Sequence, residues 1–360
     1  MFGQRLRLAR KKSGLSMKAL ADSMSPKISA QAISKYEADK MMPSSSVLVG
    51  LGKALGVSLD FLMGGQVEAL SGIEFRKHSS ISAQDRARAE AIVTEKLEDY
   101  LAIEDILEIA QQCNPFGHLV TNHVENFQAV DAVARKLRRE WKLGIDPIPS
   151  MSALLEDKGI KVIEADLPER FDGLACDVRR SGDKPDTQVV VVSSRTNIER
   201  KRFNLAHELA HRVIRATGNP DIGVEKAMNR FAGAFLITTE HLIDEVGSHR
   251  HGITYHEIMR LKRFYGVSAA AMLMRLGQVE ILPQTTIEYA FRSYARSWRT
   301  KEPDPIRDDE GFGAFERPQR FERLVWRGLG EELISPVRAA QLLNLPLSTV
   351  EREIRGPREQ

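Results

Sequence analysis

The chain has 360 residues, of which 42% are hydrophobic, and it carries 52 Lys or Arg against 49 Asp or Glu. This length holds two or three domains, and the composition is that of a soluble globular protein. No apolar run reaches the roughly 20 residues of a membrane helix, and the basic N-terminus lacks the apolar stretch of a secretory signal. We therefore expect a cytoplasmic protein without a membrane partner, in which Cys113 and Cys176 are free thiols.

The first sixty residues predict five short helices. Gly14 ends the first helix, and Ser16 and Ser29 stand where N-caps open the second and third helices. The serines after Pro43 open a fourth helix, which Gly56 ends before a short fifth helix. The glycine-containing stretch GGQVEALSG that follows is typical of a linker.

Beyond this linker the pattern changes from helical to mixed. Residues 82–112 and 124–141 predict two helices, and the β-branched runs GIKVIEAD and TQVVVVSS predict strands of a small sheet. Further helices are expected at residues 197–217, 224–236, 239–245, 255–265 and 268–276. The polar stretch RTKEPDPIRDDEG predicts a loop, and a helical tail is expected over residues 317–354.

Two short helices on either side of a turn, within the first forty residues, allow the second helix to enter the major groove of DNA. Its outward-facing residues are expected to be Ala30, Gln31, Ser34 and Lys35. Gln31 suits an adenine edge, and Lys35 suits a guanine or a phosphate. Four cations of the first helix are candidates for contacts with the DNA backbone: Arg5, Arg7, Lys11 and Lys12. The alternative is a five-helix interaction module in which the same spacing serves packing alone.

The stretches LRLARKKSGLSMKALAD and ISKYEADKMMPSSSVLVGLGKALGVSLDFL occur here in an order that resembles the XRE helix-turn-helix family, of the Cro type. The resemblance covers residues 2–63 and implies a DNA-binding domain. It also implies an ion pair between Arg10 of the first helix and Glu37 at the end of the recognition helix. The turn SMSPKIS departs from the family pattern, because it is longer than usual and lacks the family's glycine.

The stretch RFNLAHELAHRVI carries two histidines four residues apart with a glutamate after the first. A spacing of four on a helix places His207 and His211 on one face about one turn apart. Two neutral imidazoles so placed can hold Zn²⁺ at roughly 2.0–2.1 Å, with Glu208 beside the metal as a proton acceptor. The alternative is an ordinary core helix, although burying three ionisable side chains without partners is costly.

A catalytic zinc site needs a third protein ligand, which a second helix must supply. Glu225 is the only acid of the amphipathic stretch VEKAMNRFAGAFLI, and Asp221 in the preceding loop is a weaker candidate. The residues alone also allow Glu225 to be a solvated first-turn glutamate that the helix dipole favours.

Residues 128–282 resemble the ImmA/IrrE family of metallo-endopeptidases, through LRREWKLGIDPIPSMSALLEDKGIKVIE, FDGLACDV, ERKRFNLAHELAHRVI, EKAMNRFAGAFLI and GVSAAAMLMRLGQVEIL in the family's order. The resemblance implies Zn²⁺ as the cofactor, His207, His211 and Glu225 as its ligands, and Glu208 as the general base. Ala210 stands where the family often has glycine. Tyr255 and His256 are weak candidates for stabilising an oxyanion, since such residues after a turn are usually surface residues.

The tail LISPVRAAQLLNLPLSTVEREI again has helix-turn-helix spacing. A second DNA-reading unit is one interpretation, and a helical hairpin that packs on the peptidase-like domain is the favoured one. No functional residue is assigned to it.

The sequence thus predicts a multidomain, mainly α protein, with a five-helix DNA-binding domain and an α+β zinc-peptidase-like domain. The expected boundaries are residues 1–65 for the helix-turn-helix domain, 66–124 for a linker and connecting helix, 125–282 for the peptidase-like domain and 283–360 for a helical extension. The leading hypothesis is a homodimeric regulator that binds double-stranded DNA and cleaves a repressor or antitoxin-like protein. The alternative is a non-enzymatic regulator or antitoxin whose peptidase-like domain is a sensor or binds a partner such as a toxin.

Overall fold

A computed structural model describes residues 2–63, 65, 67–71, 82–109, 116–168, 173–182, 184–219, 222–309 and 311–355. Cys113 and Asp221 lie outside the described residues, whereas Cys176 is buried. Among the described helices, none combines the length and the apolar character that a membrane crossing requires. The structure confirms a multidomain, mainly helical protein with a small sheet.

The helices are α1 (Phe2–Lys12), α2 (Met17–Ser23), α3 (Ala30–Glu37), α4 (Ser45–Leu55), α5 (Leu59–Met63), α6 (Ala83–Ile106), α7 (Phe127–Glu140), α8 (Met151–Asp157), α9 (Ile198–Val213), α10 (Val224–Leu236), α11 (Thr239–Val246), α12 (Tyr255–Tyr265), α13 (Ala269–Gln278), α14 (Gln284–Arg292), α15 (Phe312–Phe315), α16 (Arg320–Gly330), α17 (Pro336–Leu343) and α18 (Leu347–Arg355). The strands are β1 (Val67–Ser71), β2 (Thr121–Val124), β3 (Lys161–Ala165), β4 (Gly173–Arg180), β5 (Thr187–Ser193) and β6 (Ile214–Thr217). These elements form two compact units. The first contains residues 1–113, 159–191 and 318–360, and the second contains residues 114–158 and 192–317.

The N-terminal part of the first unit has the five predicted helices, α1 to α5. The hydroxyl groups of Ser16 and Ser29 accept hydrogen bonds from the backbone N–H groups of Ala19 and Ala32, and so cap α2 and α3. Gly56 ends α4 with a φ of 63°, a conformation that suits glycine. The helices share an apolar core that includes buried Leu6, Leu20, Ile33, Leu51 and Leu62.

The ion pair between Arg10 and Glu37 is present, as the XRE resemblance implies. Arg10 Nε donates to Glu37 Oε1 at 2.5 Å and Arg10 Nη2 donates to Glu37 Oε2 at 3.0 Å. Arg10 also donates to the carbonyl of Leu15 at 2.8 Å, at the turn that leads into α2. This arrangement ties the end of the recognition helix to α1 and to the turn.

The four-stranded sheet of the first unit has the order β1-β4-β5-β3 and packs against α6. Residues 67–71 were expected to lie in a linker, but they form β1, which is antiparallel to β4 with Val67 opposite Arg180 and Ser71 opposite Asp177. The linker prediction is therefore wrong for these residues. Val67 and Ala69 belong to a stretch too short to predict a strand by itself. It forms β1 because it pairs with β4, which lies far away in the sequence.

The C-terminal tail also belongs to the first unit, where its three helices share an apolar core with α6. Tyr100, Ile103 and Leu107 of the α6 region pack with the buried side chains of α16, α17 and α18. The tail was expected to pack on the peptidase-like domain, and it instead packs on a helix outside the predicted bounds of that domain. Asn344 joins α17 to α18 in the left-handed conformation, with a φ of 52°.

The second unit is mainly helical, with a short parallel pair formed by β2 and β6. Several expected elements differ in their bounds: α9 ends at Val213 and its predicted last turn forms β6, β2 precedes α7, and α14 was not predicted. Asp131 of α7 joins three helices, because its carboxylate accepts hydrogen bonds from Arg230 of α10 and Arg275 of α13. This network fixes α10 and α13 relative to α7.

Candidate metal centre

Helix α9 carries the HExxH stretch, and its two sides have different environments. Asn197 caps the helix by accepting a hydrogen bond from the backbone N–H of Arg200 at 3.0 Å. Leu205, Ala206, Leu209 and Ala210 are completely buried and anchor the helix. The side chains of His207 and His211 therefore lie on the opposite side, where they retain 16% and 13% of their exposure.

Helix α10 supplies Glu225 from its first turn. Its apolar residues Ala227, Phe231 and Ala234 are buried, and α10 packs closely on α9. Burial of this apolar stripe fixes the rotation of α10 and so turns Glu225 toward the two histidines. The Glu225 side chain is 52% exposed. An acid of the first turn also benefits from the positive end of the helix dipole.

Three ligand atoms converge between these two helices. His207 Nε2 lies 3.2 Å from His211 Nε2 and 3.3 Å from Glu225 Oε2, and His211 Nε2 lies 3.9 Å from Glu225 Oε1. The ligand atoms of the three residues all lie within 4.8 Å of one another. Two imidazole nitrogens and one carboxylate form the donor set of a catalytic zinc site of the His₂Glu type, so these residues fit such a metal.

Asn229, which the sequence analysis missed, supports this arrangement. Its Oδ1 lies 3.0 Å from His207 Nδ1. An Nδ1–H that donates to this oxygen leaves Nε2 of His207 as the atom that faces the other two ligands. Asn229 follows Glu225 by four residues on α10, so helical spacing from the predicted third ligand is the signal that points to it.

The electrostatic environment of the site favours a positive charge. Burial alone lowers the pKa of His207, but the hydrogen bond with Glu225 and the negative charges of Glu208 and Glu225 outweigh this effect. The pKa of His207 is therefore raised above its ordinary value. Glu208 is half-buried, next to His207 on α9, and thus adds negative charge beside the three ligand atoms.

The candidates for stabilising an oxyanion gain no support from the described contacts. Tyr255 and His256 are both exposed at the start of α12. The Tyr255 ring packs near Trp298, with ring centroids 6.0 Å apart.

The predicted DNA-contacting face lies on α3 in the first unit. Gln31, Ser34 and Lys35 are exposed and Ala30 is half-buried, whereas Ile33 and Tyr36 face the core. The structure thus presents the expected side of the helix to solvent, and contact with DNA stays a prediction.

One of the four cations expected to contact the DNA backbone is unavailable. Arg5 is buried, and it donates to the carbonyls of Phe61 and Val67 at 2.9 and 2.6 Å and pairs with Glu98. Lys12 pairs with Glu95 of α6. The expectation for Arg5 is therefore wrong, because α6 and the chain near β1 surround its side chain.

Comparison with known families matches two parts of the chain. Residues 6–62 match the family of helix-turn-helix domains, and residues 155–277 match the family described as the IrrE N-terminal-like domain, which is a peptidase family. These matches confirm both resemblances, so the chain joins a helix-turn-helix segment to an IrrE-like peptidase-family segment.

Among individual proteins, the chain is similar to the SPbeta prophage-derived uncharacterized HTH-type transcriptional regulator YonR of Bacillus subtilis (strain 168). The two are 42% identical over 65 residues, which is 18% of this chain and 58% of that relative. The chain therefore covers somewhat more than half the length of the curated relative that it matches.

Proposed function

We propose that this protein is a DNA-binding transcriptional regulator whose IrrE-like segment is a zinc-dependent endopeptidase. Its substrate in this proposal is a protein partner, a repressor or an antitoxin-like protein. The observation that carries the proposal is the convergence of His207, His211 and Glu225 beside Glu208. A chain that only sensed a ligand would have no need of Glu208, so the intact set favours an enzyme over the non-enzymatic alternative.

In this proposal His207, His211 and Glu225 hold Zn²⁺, and Asn229 holds the His207 ring in orientation. When bound, Zn²⁺ acts as a Lewis acid toward the scissile carbonyl and lowers the pKa of water toward about 7. Glu208 accepts the proton of the attacking water and passes it to the nitrogen of the leaving amine. One C–N bond breaks, one C–O bond forms, and the water supplies both the oxygen and the proton.

The DNA-binding part of the proposal assigns base contacts to α3. Gln31 is the candidate for an adenine edge, Lys35 for a guanine or a phosphate, and Ala30 and Ser34 complete the contact surface. A homodimer is proposed because readers of this type usually bind two half-sites. The exposure of Gln31, Ser34 and Lys35 supports this assignment.

The test compares three proteins: the wild type, His207→Ala and Glu208→Gln. Each is loaded with Zn²⁺, and its metal content, its binding to a random double-stranded DNA library and its cleavage of a random decapeptide library are measured. We expect about one zinc per chain in the wild type and in Glu208→Gln, and none in His207→Ala. Cleavage should fall at least ~100-fold in Glu208→Gln because the proton acceptor is lost, while DNA enrichment stays equal in all three.

A different outcome would support the alternative. If the wild type holds zinc and enriches DNA, but Glu208→Gln equals the wild type in every assay, then the peptidase assignment is wrong. The IrrE-like segment would in that case be a sensor or a partner-binding module.

A further inference from the structure

A groove of about 530 Å³ lies in the same unit as the candidate metal centre. One of its walls is the first half of α9, with Asn197, Phe203 and Asn204, and the other is the middle of α10, with Asn229 and Gly233. Helix α13 and residues 298–302 close its remaining sides.

The groove adjoins the metal centre through Asn229, on the Nδ1 side of the His207 ring. Asn229 lines the groove and also contacts His207. Asn204 precedes His207 by three residues, so it lies about one helical turn, roughly 5 Å, from it along α9. Asn197, at the far end, is about 15 Å away on the same scale of 1.5 Å per residue. An extended peptide advances about 3.3 Å per residue, so this length fits about four residues of substrate.

The wall opposite α9 and α10 carries an apolar patch beside the polar residues Ser268, Gln278, Arg299, Thr300 and Glu302. Ala270, Ala271 and Met274 of α13 line it, together with Trp298. At Gly233, a Cβ atom would already touch Gln278 Oε1 at 3.6 Å, so glycine leaves this part of the groove wider than a side chain would. A large apolar side chain fills such a space favourably, because it removes apolar surface from water on both partners.

The two acids of the groove share one cation. Glu199 and Glu302 both pair with the buried ammonium group of Lys262, at 2.7 and 2.9 Å. Lys262 therefore balances the charge of these two carboxylates only in part, and Glu199 Oε2 is buried without a hydrogen-bond partner among the described residues.

Asn204 contributes a hydrogen-bond donor that the fold does not use. Its Nδ2 is buried and has no hydrogen-bond partner in the described part of the chain. Buried amides without a partner are rare, since an unpaired donor loses its hydrogen bonds to water without gaining one in the protein. Asn204 is half-buried and lines the groove, so a rotation of its side chain would bring this N–H within reach of a backbone carbonyl of a peptide that lies there.

We propose that this groove binds the substrate residues next to the scissile bond, with a large apolar side chain against Ala271, Met274 and Trp298 and with Asn204 donating to a substrate carbonyl. The inference rests on the proposed peptidase function, because it places the groove beside the cleaved bond. The substrate class is an extended segment of a protein that carries a large apolar residue beside the cleavage site.

The experiment uses two groove variants and one matched control in the full chain. Ala271→Trp fills the groove, and Asn204→Leu removes the donor while keeping a similar side-chain volume. Ala129→Trp is the control. Ala129 is half-buried in the same unit and, like Ala271, is the third residue of its helix, with its N–H bonded to a capping side chain (Asn126 for Ala129, Ser268 for Ala271). Zinc content and thermal unfolding establish that each variant is folded.

Two readouts separate binding from cleavage. Zinc-loaded proteins cleave a mixture of synthetic decapeptides randomised at six central positions, and mass spectrometry gives the residue frequencies around each cleaved bond. In parallel, Glu208→Gln is added to the wild type and to each of the three variants, and these proteins are immobilised. The peptides that they retain from the same mixture are eluted and sequenced. Retention does not require turnover.

We expect Leu, Met and Phe to be enriched at one position next to the cleaved bond and among the retained peptides. Ala271→Trp should lower this enrichment about tenfold and shift it toward small residues. Asn204→Leu should lower retention about 3- to 10-fold, the usual contribution of one hydrogen bond, without lowering the unfolding temperature, since no internal hydrogen bond is lost. Ala129→Trp should equal the wild type.

The outcomes are distinguishable. Cleavage that depends on Glu208, with preferences unchanged in both groove variants, overturns the groove and keeps the peptidase. Selective retention without any cleavage keeps the groove and overturns the peptidase. If the wild type neither cleaves nor retains peptides, both are overturned.

Discussion

The two sides of α9 handle charge in opposite ways. On the buried side, Arg202 and Glu316 are completely enclosed, and Arg202 Nη1 lies 2.5 Å from Glu316 Oε2. On the open side, His207 and His211 keep partial contact with solvent and meet the more exposed Glu225. The same helix thus provides an ion pair for the fold and a cluster of ligand atoms for a cation.

The buried side is satisfied by backbone groups as well as by ions. Arg202 donates to the carbonyls of Gly266 at 2.9 Å and Ile148 at 2.6 Å, and its guanidinium lies 4.3 Å from the ring centroid of Phe312. The Glu316 carboxylate accepts hydrogen bonds from the backbone N–H groups at the start of α8, at 2.8 and 3.2 Å. It therefore acts as an anion at the N-terminus of a helix.

The two sides of α9 are suited to different tasks. Charges that are enclosed and fully bonded hold segments together and cannot exchange partners without large cost. Nitrogen and oxygen atoms that converge on one another near solvent can hold a metal ion that remains accessible from solution. Three predictions test this contrast.

Removal of the buried guanidinium should have the largest effect on stability. Arg202→Met leaves Glu316 charged and without its cation, so we expect the free energy of unfolding to fall by about 3–5 kcal/mol in urea denaturation. Arg263→Met is the control, because the Arg263–Asp304 pair is mostly exposed and should contribute less than about 1 kcal/mol. Equal losses in the two variants would contradict the contrast. Adding Glu316→Gln to Arg202→Met should restore part of the stability.

Removal of the Asn229 amide, which contacts His207 Nδ1, should have an intermediate effect. The effect should be on metal affinity and not on folding. Asn229→Ala frees the His207 ring to rotate, and we expect the affinity for Zn²⁺ to fall about 10- to 100-fold in competition with a chromophoric chelator. Lys226→Ala, at an exposed position on the same helix, should leave the affinity unchanged. An unchanged affinity in Asn229→Ala would mean that the contact with His207 does not orient the ligand.

The smallest effect on stability is expected at Asp99 of α6. Its carboxyl group is half-buried, so it is neither fully enclosed like Arg202 nor mostly exposed like Arg263. Burial raises the pKa of Asp99 to about 6; Arg338 and Lys96 oppose this effect, and Glu95 and Glu98 add to it. The folded pKa exceeds the unfolded value of 3.8. Below pH 3.8 the carboxyl group is therefore protonated in both states and costs no stability, and the fold loses stability as the pH rises from 3.8 through about 6. Asp99→Asn should therefore stabilise the fold at pH 7.5 by about 0.5–1 kcal/mol, after allowance for solvent screening.

Urea denaturation at pH 4, 5, 6 and 7.5 measures this gain. The gain should be much smaller at pH 4, because the carboxyl group of the unfolded chain, with a pKa of 3.8, is then itself partly protonated. A gain of the same size at every pH would assign the effect to helix propensity instead of ionisation.

The prediction of the fold from the sequence was best where the information is local. Ser16, Ser29 and Gly56 delimit the N-terminal helices as expected, because caps act within one turn of the chain. Strand β1 and the short pair of β2 and β6 were missed, since each depends on a partner that lies far away in the sequence. The tail was predicted to be helical, but its packing on α6 was not predicted.

The placement of His207 and His211 on one side of a helix follows from the sequence alone, because four residues make about one turn. The meeting of Glu225 and Asn229 with that side required the packed structure, since it depends on how the apolar stripe of α10 packs on α9. The burial of Arg202 against Glu316, 114 residues later in the chain, was decided in the same way. Helical periodicity sets the direction of a side chain locally, whereas the neighbour that it meets is set by the burial of apolar surface across the whole unit.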